Sequence, residues 1–423
     1  MKPGNAEFTA FVGLDWADAK HDICVQAPGC EAREFDRFAH HPEGIEAWAR
    51  AMQQRFGGRI AVALELSKGP IVYALQKYDC FVLFPINPSM LARYRQAFKP
   101  SRAKDDPTDA ELALDLLLRH RERLQPLTPQ SVPMRKLCLL VEQRRRLVGD
   151  KTRCVNRLCY TLKQYYPQAL AWFAQRDTVL FCDFIARWPT LKQVKRARQA
   201  TLRAFFKAHN VRFERVIEAR LRAIKAATAL TRDRAVIEAH QLQAEVLVEQ
   251  LRITLQAIAR FDEEIAVTAA RLPDYALLFE PLPGAGPALA PRLLAGFGED
   301  RQRYAGADQL QMYSGVAPVT ERSGNKTWVH WRWQCPTFLR QTLVEWAGQT
   351  VNKSFWAGAY YRQQMAKGAS HQAAVRALAF KWVRILYRCW QTRTPYDESK
   401  YLEALRRRGS PLLKQLGETM EIT

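Results

Sequence analysis

No Cys-x-x-Cys pair occurs in this chain, although it holds nine cysteines. That absence argues against a disulfide framework and against a zinc ribbon, and leaves reduced, buried thiols as the expectation. A run of 18 uncharged apolar residues is also missing, and the opening MKPGNAEFTAFVGLDW has no basic region followed by a long apolar stretch. Neither a membrane span nor a signal peptide is expected, and the cytoplasm is the expected compartment. Acidic residues are in deficit: 42 Asp and Glu face 64 Lys and Arg, a formal charge of +22. The imbalance is uneven. Through residue 90 there are 9 basic and 11 acidic residues, which leaves 55 basic and 31 acidic for the remainder. A near-neutral first lobe followed by a strongly basic body points to a polyanion, with nucleic acid ahead of an anionic membrane.

What is present fits a globular protein of two or three domains: 423 residues, 48% of them apolar. FTAFVGLDW and HDICVQAP read as strands joined by Ala17-Asp18-Ala19-Lys20, with EAREFDRFAH as a third. A helix over His41–Phe56, the strand RIAVALEL, a helix near Val72–Lys77 and the strand CFVLFPIN follow. A meander that gives way to alternating helices and strands predicts a mixed sheet flanked by helices, in an order that suits a ribonuclease H-like (RuvC-like) α/β lobe. Beyond Pro88 the chain turns basic and helical. Met134–Tyr166 pairs an apolar stripe with a basic face that includes Arg144, Arg145, Arg146, Arg153 and Arg157, which are candidates for nucleic-acid contact. From Ala235 to Leu272, Ile237, Ala244, Leu251, Ile258, Ile265 and Leu272 recur every seven residues, a coiled-coil-like seam. A heptad pattern does not choose its partner, so dimerisation and internal packing both stay open.

LPGAGP followed by APRLLAGFG reads as a helix-hairpin-helix, in which Gly284 and Gly286 would expose backbone N–H groups to a phosphate. An ordinary glycine-capped corner is the alternative. Trp328, Trp331, Trp333, Trp346 and Trp356 are interleaved with Lys and Arg, some destined for the core and others for stacking on bases or sugars. The expected division is a metal-binding domain over residues 1–125, a basic helical linker with an insertion over 126–275, and a helical C-terminal domain over 276–423.

Four carboxylates carry the chemistry. Asp15 ends the apolar run Phe11–Leu14, and Glu65 ends Ile60–Leu64. An ion at the end of a strand written for burial needs a cation to meet it. Asp106 and Asp109, three apart at a helix start with Pro107 between them and Asp106 as N-cap, reach one point from the first turn. Together the four suit Mg²⁺, in a two-metal arrangement that activates an attacking oxygen toward phosphate. Asp18, Asp22 and Asp105 are alternates, and Asp105 also lies one helical turn from Asp109.

At these residues the chain resembles the DEDD transposases of bacterial insertion sequences, also described as bridge-RNA-guided recombinases. GLDWADAKHDICV is similar to the family's first-Asp strand, ALELSKGP to its Glu strand, VLFPINP to the strand that follows, and KDDPTDAELAL to its K-x-D-x-x-D helix. That spacing favours Asp106 over Asp105. LPGAGPALAPRLLAGFG and DQLQMYSGVAPVTERSGNK resemble the helix-hairpin-helix and the stretch that holds a catalytic serine, which lands on Ser323. The resemblance implies that Ser323 attacks DNA phosphate and forms a transient covalent link while the carboxylates hold Mg²⁺, with Arg322 or Lys326 clamping the phosphate. Ser314 and Thr320 are weaker nucleophile candidates. The resemblance also implies DNA and a structured guide RNA as partners, a dimer or homotetramer with composite sites, and a bacterial, nucleoid-associated location. A junction-resolving endonuclease that uses water is the competing reading. The chain departs from the family at WVHWRWQCPT, residues 328–337, and carries extra length between about 170 and 235.

Overall fold

A computed structural model of the chain describes residues 8–98, 106–410 and 412. Lys104 and Asp105 lie outside the described residues. The chain divides into two compact units, Met1–Pro129 and Gln130–Thr423.

The first unit is built on a five-stranded mixed sheet in the order β3-β2-β1-β4-β5. Strands β1 (Ala10–Trp16), β2 (Lys20–Gln26) and β3 (Glu34–Ala39) form an antiparallel meander, and β4 (Ile60–Leu64) and β5 (Phe81–Pro85) add on in parallel. Helices α1 (Pro42–Phe56), α2 (Pro70–Leu75), α3 (Pro88–Phe98) and α4 (Asp106–His120) complete it. Because helices cover both faces, β4 is apolar and buried at every position, as a central parallel strand requires. The edge strand β3 is guarded instead by exposed Glu34, Asp36 and Arg37. One face of the sheet packs Val12, Leu14, Ile23, Val62 and Leu64 against α1 and α2. On that side His21 is fully buried and bonded to His40, Nε2 to Nδ1 at 2.8 Å. Burial, and then the neighbouring His40, push its imidazole down to about 4.

The other face packs Phe11, Cys24, Ala61 and Ala63 against α4. Gly13 sets how close that helix comes. A Cβ on Gly13 would stand 1.9 Å from the Ala110 carbonyl oxygen and 2.5 Å from the Leu114 nitrogen, both backbone atoms. The helix runs antiparallel to β1, since Arg121, just past its end, holds its guanidinium 5.4 Å and 5.9 Å from the Phe8 and Phe11 rings. The start of α4 is thereby brought to the end of β1. Gly13→Ala is expected to destabilise the unit by about 1–3 kcal/mol or more, because backbone rather than a flexible side chain must give way. A fall in the midpoint of chemical unfolding checks this.

The second unit is helical. Two long helices, α5 (Val132–Tyr165) and a partner beyond residue 233, are separated by α6 (Pro167–Trp172), α7 (Val179–Arg187), α8 (Leu191–Arg196), α9 (Gln199–Ala208) and α10 (Glu214–Ala226). The partner is α11 (Arg234–Ala270). Its heptad row is buried against α5: Ala244, Leu251, Ile258, Ile265 and Leu272 are all covered. The pairing is antiparallel, with Lys136 bonded to Glu264 and the Cys154 thiol to the Leu247 carbonyl. Of the two partners the pattern allowed, this seam takes the internal one. The extra length between the long helices forms its own core on Phe173, Phe181, Phe184 and Phe206, against Leu158, Leu162 and Leu247.

After a π-helical turn, Tyr275–Phe279, come α12 (Gly286–Phe297), α13 (Ala307–Tyr313), the hairpin β6 (Val319–Ser323) and β7 (Lys326–His330), α14 (Thr337–Thr350), α15 (Phe355–Ala366), α16 (His371–Thr392) and α17 (Glu398–Arg407). Met134, Leu137 and Val141 of α5 join the core formed by α12, α14 and α16. Trp346, Trp356, Trp382 and Trp390 lie fully buried within it, and each indole N–H finds an acceptor, as buried Trp requires. Among the described residues, no helix is long and apolar enough to cross a membrane.

Candidate active site

Strand alternation gathers the N-terminal carboxylates. Phe11, Gly13 and Asp15 follow one another on the α4 side of β1, Ala61 and Ala63 lie on the α4 side of β4, and Glu65 comes one residue past the end of β4. The parallel register Leu14 to Leu64 sets Asp15 and Glu65 beside each other at the same edge of the sheet. Ala110 lies over Gly13, so the first turn of α4, about 5 Å further along, comes level with Asp15, about 7 Å beyond Gly13 along the strand. Asp106 is the first residue of that helix and is half-buried. The residues just before Asp106 lie outside the described residues.

Asp109 is 3% exposed, and Arg95 of α3 holds it: Nε donates to Oδ1 at 2.7 Å, and Nη2 forms an ion pair with the same oxygen at 2.5 Å. The sequence reading missed Arg95, since an arginine 14 residues upstream in a basic stretch carries no periodic signal. Asp22 pairs directly across from Asp15 in the β1–β2 register and is only 6% exposed, with the Lys20 ammonium at 3.4 Å. Two carboxylates directly opposed on a sheet repel, so this edge favours a cation. Beneath them burial pushes the Cys24 thiol up to about 11, which leaves it a protonated core group. Further along α4, Arg33 bridges Glu111 at 2.9 Å and Asp115 at 2.5 Å.

Carboxylate oxygens are the donors a hard divalent cation takes, and the four lie at or beside one sheet edge. Among the described residues, no three potential ligands are drawn into a ready cage, and at Asp109 an arginine stands where a cation would serve. Arg95→Gln is expected to cost about 3–5 kcal/mol, the usual penalty for removing one partner of a buried pair. Chemical unfolding without divalent ions measures it.

In the second unit Ser323 sits at the turn of the β6–β7 hairpin, exposed, with Gly324 at φ +56° as the first of two turn residues. Glycine at that position suits a type II′ turn. The register pairs Ser323 with Lys326, Glu321 with Trp328 and Val319 with His330, so all six share a face. Arg322 pairs with Thr327 on the other face, and Thr320 is there too. Of the two clamp candidates, Lys326 is the one beside the serine. Ser314 is fully buried, with its hydroxyl donating to the Gln311 carbonyl.

The basic face of α5 is partly engaged. Arg144 is paired with Asp262, Arg145 donates to Gln341 at 3.3 Å, Arg153 is paired with Asp150, and Arg157 is exposed. Gly284, at φ +70°, lies against the Gln349 backbone, where a Cβ would come within 2.9 Å, so packing accounts for it. Gly286, at φ +54°, opens α12 with nothing within 4 Å of a Cβ.

Comparison with known proteins supplies the class. Residues 12–167 match a family model described as Transposase, and residues 276–362 match one described as Transposase IS116/IS110/IS902 family. The protein is therefore a transposase, an enzyme that recombines DNA. The chain is 31% identical over 402 residues to the mini-circle putative transposase for IS117 of Streptomyces coelicolor, covering 93% of this chain and 96% of that one. It is 25% identical over 393 residues to the insertion element IS900 42 kDa protein of Mycobacterium paratuberculosis, covering 89% and 94%. It belongs to the IS110 family of insertion-sequence transposases. Membership in a DEDD transposase family implies a divalent metal cofactor.

Proposed function

We propose that this transposase cuts and rejoins DNA through attack of the Ser323 hydroxyl on a DNA phosphate, with Asp15, Glu65, Asp106 and Asp109 holding Mg²⁺. The observation that carries the reading is the placement of the carboxylates: strand ends and a helix start meet at one edge, and Asp22 adds a further negative charge beside them. The sheet order and its mix of antiparallel and parallel pairs support a ribonuclease H-like (RuvC-like) lobe. The open start of α12 at Gly286 supports a phosphate contact of the helix-hairpin-helix kind.

In the forward step Ser323 Oγ forms a bond to phosphorus, the ester bond to one deoxyribose oxygen breaks, and that oxygen leaves as a hydroxyl after taking a proton. A hydroxyl of the new partner strand then reverses the step and frees the serine. Phosphodiester bonds are conserved in number, so no external energy source is needed. Bound Mg²⁺ supplies Lewis-acid stabilisation of the charge that develops on the phosphate oxygens. Lys326, across the hairpin from Ser323, holds a non-bridging oxygen. The net charge of +22 supports two polyanions, DNA and a structured guide RNA, served by a dimer or tetramer.

Capture of a covalent protein–DNA adduct on cleaved substrate tests the reading. The metal role has its own test: if Asp109 helps hold Mg²⁺, adding Mg²⁺ to Arg95→Gln restores part of the lost stability, and no recovery would remove Asp109 from the ligand set.

A further inference from the structure

The hairpin that carries Ser323 holds more than a serine. Trp328 is 44% exposed, outside every buried cluster among the described residues, yet its ring is tied in place. Its Nε1–H donates to Glu321 Oε2 at 2.9 Å, and Glu321 Oε1 meets His330 Nε2 at 2.8 Å. An indole left in water and fixed by a hydrogen bond presents a rigid aromatic face at little entropic cost. It occupies the next position along the face from the Ser323–Lys326 pair, about 7 Å away at strand spacing.

Just past the end of β7 the surroundings turn cationic. Trp331 carries the Arg376 guanidinium on its ring, and Trp333, 76% exposed, stacks on Trp331 with centroids 6.5 Å apart and planes at 29°. Arg332 and Arg376 each keep a buried Nε with no hydrogen-bond acceptor. Burial, and then the neighbouring Arg340, push the Arg376 guanidinium down to about 10. Like charges gathered around exposed indoles fit an anionic aromatic polymer rather than an apolar protein surface. Paired bases offer no free face, so the partner must be unpaired.

We infer that Trp328 is a stacking platform for an unpaired DNA base next to the phosphate held at Lys326. The inference deepens the proposed reaction by naming the form of DNA it takes, a strand opened at the cleavage point. It rests on the reading of this hairpin as the DNA-cleaving surface. Full-length protein freed of nucleic acid is titrated against labelled oligothymidine, a duplex of equal length, and oligouridine, with fluorescence anisotropy as the readout. Trp328→Ala is expected to weaken oligothymidine binding about 10-fold, within the roughly 1–3 kcal/mol that stacking of one base supplies, and to leave duplex binding within about twofold. Trp328→Phe, which keeps a ring, is expected to recover most of the loss and shows that the alanine effect is not misfolding. Equal loss on single strand and duplex, no loss on either, or loss confined to oligouridine would overturn the proposal. The last outcome would make RNA the partner. The readout is binding alone, so its failure is distinguishable from a failure of adduct formation at Ser323.

Discussion

Asp15→Asn lowers strand cleavage by roughly 10³-fold while DNA binding stays within about twofold of the parent: this is the expected result. Lewis-acid stabilisation of the transition state is worth several kcal/mol, and each 1.4 kcal/mol is about tenfold in rate. Asparagine keeps the shape of the side chain and one oxygen but removes the charge a divalent ion needs. Asp15 lies directly across from the buried Asp22, so its negative charge faces a like charge across the strand pair. A stable, DNA-binding, inactive variant separates chemistry from folding, and Glu65→Gln at the adjoining strand end is expected to behave alike. Cleavage within tenfold of the parent for both variants would sink the metal role and favour a nucleic-acid scaffold with structural carboxylates. The pair should be measured at saturating DNA, with a thermal melt on the same samples.

What the sequence disclosed depended on whether the signal was local and periodic. The strands β1, β2 and β4 were legible because each is an apolar run ended by a turn or a charge, and Asp15 and Glu65 stood out as ions ending such runs. The α11 heptad was legible as a face, whereas the choice between a second chain and the first long helix, α5, as its partner was not, since a repeat states which side is buried and not against what. Arg95 was invisible because nothing in local spacing ties an arginine on one helix to an aspartate on the next. No strands are predicted from the sequence over residues 319–330, where the structure has the β6–β7 hairpin. The signal was present: Gly324-Asn325 sits between VTERS and KTWVH, two residues of turn chemistry flanked by strand formers. Polar residues outweighed it because this hairpin lies in water on both faces and so lacks alternating hydrophobicity. The same register then divides Lys326 from Arg322, which the sequence left as equal choices.

Ser323→Ala is expected to abolish the covalent adduct and lower cleavage by about 10³-fold or more, since a nucleophile cannot be replaced by its neighbours. The geometry makes the test clean. Ser323 is exposed at the end of β6, and the turn is made by Gly324 at φ +56°, so losing one hydroxyl alters neither core nor turn. Other hydroxyls near by offer little substitution: Ser314 is fully buried and bonded to its own helix, and Thr320 lies on the opposite face of the hairpin. DNA carrying the element's own ends, nicked so that the leaving strand diffuses away, should trap parent protein as a species that survives denaturation and that nuclease followed by protease reduces to a peptide with a phosphate-linked serine. Normal cleavage by Ser323→Ala with no adduct from the parent would make water the nucleophile and the enzyme a junction-resolving endonuclease. An adduct on the parent that persists in Ser323→Ala would place the nucleophile elsewhere, and peptide mapping would then name it. Loss of adduct together with retained DNA binding leaves the serine as the attacking group.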